Sequence, residues 1–290
     1  MRASSVKPLE LGVVMTDHMD TRTIPTSLVT TRERAGERMA DVLYPALAIV
    51  VVLVVWQLLV WVSGIATYVV PGPLDVIQSA TQIGPTVLGE TLPTLFEILA
   101  GFALAVVIGV PLGIALAAFR PFERSVFPLI IALQGIPKVA LAPLFVVWFG
   151  FGFTPKILLA LLIAFFPIVI DTMAGIRSVN PSYVQLGRSM QGSKRSIYMK
   201  IVLPHALPQM FAGFKVAMSL AIIGAVIGEL MGTNGGLGYI LLSATGQLQM
   251  DRAFVVILWL GVISVPLVQS VSWLERLVIP WAPHSRDGSP

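Results

Sequence analysis

The sequence predicts an all-α, polytopic membrane protein of about six transmembrane helices. Three observations predict it. Only 12% of the 290 residues are charged and 56% are hydrophobic, where a soluble domain carries about a quarter charged residues. The apolar residues gather in several long runs and the mean hydropathy is +0.86, so the solvent they meet is lipid. Lys and Arg alternate between successive connecting loops, as they do when those loops lie on alternate sides of a membrane.

The runs are 42–62, 92–119, 126–149, 156–176, 206–231 and 253–279. Each is near or above the ~20 residues a helix needs to cross ~30 Å of hydrocarbon. The third contains Gly135, Pro137 and Pro143, which predicts a broken or strongly kinked helix. The first 40 residues hold no long apolar run. They do not read as a cleavable signal peptide, which sets a basic end directly before a short apolar core. We expect residues 1–40 to form a flexible cytoplasmic tail, 41–281 the transmembrane domain and 282–290 a second tail.

Orientation follows from the basic residues. The amino-terminal tail holds Arg2, Lys7, Arg22, Arg32, Arg34 and Arg38, and the loop over 63–91 holds none. The next loop holds Arg120 and Arg124, and the one over 150–155 holds none. The loop over 177–205 holds Arg177, Arg188, Lys194, Arg195 and Lys200; the one over 232–252 holds only Arg252. Arg276 and Arg286 close the chain. Both termini are therefore expected in the cytoplasm, in a multi-pass inner-membrane protein.

Several function classes are disfavoured. Cysteine is absent, which removes thiolate metal sites and cysteine nucleophiles. His18, His205 and His284 show no metal-ligand spacing. No G-x-x-x-x-G-K-[ST], H-E-x-x-H or G-x-S-x-G occurs. The chain is expected to carry no catalytic residue, metal or cofactor of its own, and not to be an enzyme. Any nucleotide must be bound by a partner. A self-contained secondary transporter or channel is the alternative, but the internal repeat and ion-coordinating acidic pairs frequent in such folds are not found.

The loop over 177–205 has helix grammar of its own. Asn180 can cap a helix and Pro181 suits its first turn. Tyr183, Leu186 and Met190 recur at helical spacing; after Gly192 and Ser193, Ile197, Tyr198 and Ile201 do so in a second short helix. Leu203-Pro204 is expected to stop the chain before the fifth span. Arg188, Lys194, Arg195 and Lys200 surround these apolar teeth. Such a hairpin is either an interfacial element on anionic headgroups or a docking element for a soluble partner.

The segment resembles the cytoplasmic "EAA" loop of binding-protein-dependent ABC importer permeases. Gln185 stands where that pattern has Glu, Leu186 and Gly187 where it has two Ala, and Gln191 where it has Gly, with Gly192 one place later. The Ile-x-Leu-Pro end is present as Ile201, Leu203 and Pro204. The stretches 136–145, 148–152, 165–168, 175–181, 228–229 and 235–238 are similar to the nitrate/taurine/aliphatic-sulfonate branch, which also contains permeases for vitamin precursors and aromatic acids. The resemblance implies a five-helix permease core plus one amino-terminal helix. It implies coupling helices, here with Tyr183, Gln185, Leu186, Gly187, Met190, Gln191, Gly192, Ile201, Leu203 and Pro204, seated on an ATP-binding subunit. It further implies two such subunits carrying ATP and Mg, a second permease copy in a homodimer, an extracytoplasmic substrate-binding protein, surrounding lipid, and no nucleic acid.

Polar groups inside spans are costly and mark pathways. The candidates are Gln134 and Lys138 beside the break in the third span, Glu97 early in the second and Glu229 late in the fifth. Glu97, Lys138 and Glu229 either contact solute or neutralise one another within the bundle. A positive group beside a broken helix suits a small anionic solute. Asp171, late in the fourth span, reads as interfacial. Gly109 and Gly113, and Gly224, Gly228 and Gly232, lie at four-residue spacing. They permit close helix packing within one subunit or, alternatively, between two. The segment 232–238 reads as a flexible outer loop, a candidate gate or a contact for a substrate-delivering protein.

Overall fold

The computed structural model describes residues 31–231 and 235–281, and among these there are helices and turns but no strand. The chain divides into two units, 1–54 and 55–290. Residues 1–30 and 282–290 of the expected tails lie outside the described residues. The described part of the first unit is the beginning of α1, Thr31–Ser63. The helix thus starts inside the segment expected to be tail, and its apolar stretch is Leu47–Ser63.

In the second unit the first spanning helix is α2, Pro73–Ala118, of 46 residues. The expectation of a loop over 63–91 is corrected from Pro73 onward. Pro73 occupies the first turn, and the Asp75 carboxylate accepts from the Gly72 N–H at 2.9 Å, so the start is well capped. Pro85, Pro93 and Pro111 lie inside it, tolerated where neighbouring helices compensate the freed backbone groups. At ~1.5 Å per residue α2 is about 69 Å long, over twice the ~30 Å of hydrocarbon.

The third span is broken, as Gly135, Pro137 and Pro143 predict. Helix α3, Arg120–Gln134, is followed by a 3₁₀ turn, Lys138–Leu141, and α4, Ala142–Phe149; the two halves meet at 86°. Helix α5, Phe153–Arg177, is the centre of the bundle, packed on α2 and on α8, Leu203–Glu229. Their common core is Ile98 and Ala105 from α2, Ala160, Ala164 and Ile168 from α5, and Ala217, Met218, Ala221 and Ala225 from α8. The approach is close. A Cβ on Gly224 would lie 2.6 Å from the Ala160 Cα, and one on Gly228 2.8 Å from the Lys156 Cα. Gly109 and Gly113 abut Ile168 and Thr172 in the same way. These glycines are therefore used in packing within one chain. Gly232 lies outside the described residues.

Leu116, Ile130, Phe166, Val169 and Met173 form a second core under α3, closed by an ion pair between Arg177 and Glu123. A third core joins the first half of α2 to α9, Leu237–Gly246, and α10, Met250–Val278, through Val76, Val87, Leu237, Val255, Val256 and Ile263. Helix α9 lies within the segment expected to be an outer loop. Among the described residues four helices are long and apolar enough to span, and the bent pair makes a fifth.

The fifth span also differs from expectation. Pro204 does not stop the chain. Helix α7, Lys194–Ile197, passes through a π turn, Tyr198–Val202, directly into α8. Within that turn the Leu203 N–H reaches back to the Tyr198 carbonyl. Pro204 then sits in the first turn of α8, directly after the π turn.

Candidate functional site

Two polar sites lie at opposite ends of the bundle. The first is the hairpin between α5 and α8. Its outer helix is α6, Pro181–Ser189, and it begins as its sequence directs: the Asn180 side chain accepts from the Ser182 N–H at 2.9 Å, with Pro181 in the first turn. It ends in a Schellman closure. The Gly192 N–H donates to the Gly187 carbonyl at 3.0 Å and the Gln191 N–H to the Arg188 carbonyl at 2.9 Å. That closure needs a left-handed residue, usually glycine, and Gln191 supplies it with φ 57.

Amphipathic spacing divides the hairpin into a base and a set of teeth. Gly187, Ile197 and Val202 are buried. A Cβ on Gly187 would lie 3.0 Å from Ile201 Cδ1 and 3.1 Å from Ile197 Cγ1, so α6 rests almost directly on α7 and the turn after it. Tyr183, Leu186 and Met190 point away from that base and are 53%, 59% and 76% exposed. Gln185, Gln191 and Gly192 are exposed beside them. Ile201, Leu203 and Pro204 are half-buried at the root. In the second helix and the turn after it Ile197, Tyr198 and Ile201 therefore face inward, while Met199 is exposed. A cavity of about 160 Å³ remains between the helices, lined by Val184, Arg188, Lys194, Ile197, Tyr198 and Val202.

The second site is a buried charged cluster where α2, α5, α8 and the start of α9 meet. Lys156 is one turn into α5 and only 4% exposed. Its Nζ donates to Glu97 Oε1 at 2.7 Å and to the Gly235 carbonyl at 3.1 Å. Glu229 is wholly buried: its Oε1 accepts from the Thr94 hydroxyl and its Oε2 from the Gly238 N–H, each at 2.7 Å. Thr94 Oγ1 accepts the Leu237 N–H at 2.9 Å, and Glu90 Oε2 the Gly236 N–H at 2.6 Å. Beside the cluster lies a cavity of about 360 Å³, lined by Glu90, Pro93, Phe151, Gly152, Phe153, Lys156 and Gly235.

Glu97 and Glu229 are thus brought together, but the cation between them is Lys156 and not Lys138. Sequence reading missed Lys156 because it stands at the first position of an apolar run, where a lysine reads as a boundary. Lys138 and Gln134 lie at the break. The Lys138 ammonium is 4.9 Å from the Phe166 ring centre and 3.4 Å from the Gln134 carbonyl. Asp171 accepts from the Gln209 amide at 2.7 Å. Among the described residues no group of His, Cys, Asp and Glu could hold a metal ion.

The sequence matches the family described as binding-protein-dependent transport system inner membrane component over residues 109–282. It is 35% identical over 266 residues to the riboflavin transport system permease protein RibX of Chloroflexus aurantiacus, covering 90% of this chain and 98% of that one. It is 32% identical over 246 residues to the formylaminopyrimidine transport permease protein ThiX of Halalkalibacterium halodurans, covering 84% and 98%. The fold is similar to a chain of the MetNI methionine ABC transporter in an inward-facing conformation, with a TM-score of 0.60 at 20% identity, covering 68% of this chain and 98% of that one.

Proposed function

Because this chain belongs to the binding-protein-dependent transport system inner membrane components, we propose that its 177–205 hairpin is the part through which a separate ATP-binding subunit moves the spanning helices. The chain is a membrane-spanning permease subunit of an ATP-binding-cassette importer. The observation that carries the coupling role is the exposure of Tyr183, Leu186 and Met190 on a short helix whose other face is clamped at Gly187. Apolar teeth on a rigid mount suit a groove on a partner protein, since water penalises their exposure. ATP binding in the partner favours one arrangement of the hairpin, and the spanning helices follow.

In the assembly we infer, two copies of this chain enclose the path, two ATP-binding subunits carrying ATP and Mg sit below, and an extracytoplasmic binding protein delivers solute from above. The distribution of Lys and Arg supports placing the hairpin and both termini in the cytoplasm, which puts the Lys156 cluster at the outer end. Gln134 and Lys138 line the path at the broken span, where the bend frees backbone groups. Glu97 and Glu229 hold the bundle and do not contact solute there. The solute is a small organic molecule. A nitrogen heterocycle of the vitamin-precursor kind is supported by the two relatives above, and an anionic sulfonate by the Lys138 ammonium.

The test is co-purification of the full complex followed by substitution of Leu186→Asp and Met190→Asp. ATP-binding subunits should dissociate, or hydrolysis should continue without uptake. Variants that keep both assembly and uptake would remove the hairpin from the coupling path.

A further inference from the structure

We propose that Lys156 is the positioning residue of an outer latch, holding the strap Gly235–Gly238 against α5 and α2 in the closed arrangement, and that solute passes only when this grip is released. The proposal rests on the importer reading and on its placing this end of the bundle outside.

The strap is held by side chains from three helices. Lys156 of α5 donates to the Gly235 carbonyl, and Glu90 and Thr94 of α2 accept from the Gly236 and Leu237 amides. Glu229 of α8 accepts from the Gly238 amide. The same ammonium is bound to Glu97 of α2 at 2.7 Å. One lysine therefore links two helices to the strap that leads into α9. The fit is close: Gly236 has φ 102, and a Cβ there would lie 1.9 Å from Glu229 Oε1.

Three features distinguish a latch from a permanent rivet. The cavity of about 360 Å³ opens directly against Lys156, Glu90 and Gly235, so the strap has space to move into and water has a way in. Among the described residues Glu97 Oε2 is buried with no N–H or O–H donor of another residue type, beside the Glu229 carboxyl group; a buried acceptor so placed is costly, and a second arrangement can satisfy it. The Glu229 carboxyl group interacts with Glu97 as well, so two buried acidic groups and one ammonium form a single cluster. A network that is strong only while dry and not fully satisfied is suited to two states.

The chain has no cysteine, which permits a direct test in the intact complex. The importer, with its ATP-binding subunits and binding protein, is reconstituted in phosphatidylethanolamine/phosphatidylglycerol vesicles. In Glu90→Cys/Gly235→Cys, oxidation with copper phenanthroline should lower uptake and binding-protein-stimulated ATP hydrolysis by about tenfold or more, and dithiothreitol should restore both. In Glu97→Gln/Lys156→Gln, hydrolysis without binding protein should rise several-fold, while Lys156→Arg keeps its dependence on binding protein. Equal turnover of the oxidised and reduced pair overturns the latch, whether or not the double glutamine variant folds. So does an assembled double glutamine variant with wild-type basal hydrolysis. Failure of the unsubstituted chain to retain ATP-binding subunits would instead overturn the importer reading.

Discussion

The Lys156 ammonium lies 2.7 Å from the Glu97 carboxylate, with the two side chains 5% and 0% exposed. Coulomb attraction is large in such surroundings, but so is the cost of dehydrating each group. Removing one partner strands the other. Glu97→Leu or Lys156→Met alone should therefore destabilise the protein by roughly 3–5 kcal/mol. Replacing both together should cost much less. Thermal unfolding of the four proteins in one detergent closes the cycle, and costs that simply add would show that the pair does not act as a unit.

Gly187 fixes the height of α6 above its base. Gly187→Leu would drive a side chain into Ile197 and Ile201, which a Cβ alone already approaches to 3.1 Å and 3.0 Å. The local strain should be about 1–3 kcal/mol, and the teeth should tilt. We expect ATP hydrolysis to persist while uptake falls. Parallel uptake and hydrolysis assays decide it: an unchanged ratio would mean the mount tolerates displacement.

Gln191 carries a backbone conformation that suits glycine. Its φ of 57 strains an L-residue by about 1–2 kcal/mol, and its N–H already completes the helix closure. Gln191→Gly should therefore stabilise the purified protein by a sizeable part of that amount, and Gln191→Val should do the opposite. A melting temperature that moves down with glycine would show that the Gln191 side chain contributes more than its backbone costs.

Lys138 tests the path. Lys138→Met removes a charge beside the bend while leaving the Phe166 surface apolar. Uptake should drop several-fold with the ATP-binding subunits still bound, and Lys138→Arg should recover part of it. Wild-type uptake by Lys138→Met would exclude this lysine from solute contact.

The sequence was legible where a local rule was sufficient. Asn180-Pro181 announces α6, and Gly135 with Pro137 announces the break, because caps and prolines act on their own neighbours. Alternation of Lys and Arg needs only a count along the chain. It was illegible where structure depends on distant partners. The first half of α2 reads as a loop because Gln78, Ser79, Thr81, Gln82 and Glu90 interrupt its apolar run. Two of them are used by groups far away in sequence: Ser79 bonds Asp251 and Glu90 the strap at Gly236. Lys156 was overlooked because its carboxylate stands 59 positions away. Pro204 was misread as a terminator because a π turn, which has no strong residue signature, carries the helix past it.

That uninterrupted passage makes one stiff shaft of Lys194–Glu229, 36 residues and about 54 Å long. Its lower end is the floor under the protruding teeth, and its upper end is a carboxylate that holds the strap. Under the docking proposed for the hairpin, torque applied by a nucleotide-powered partner at the foot would need no relay of loosely jointed parts to be felt at the far end. The same backbone arrives there.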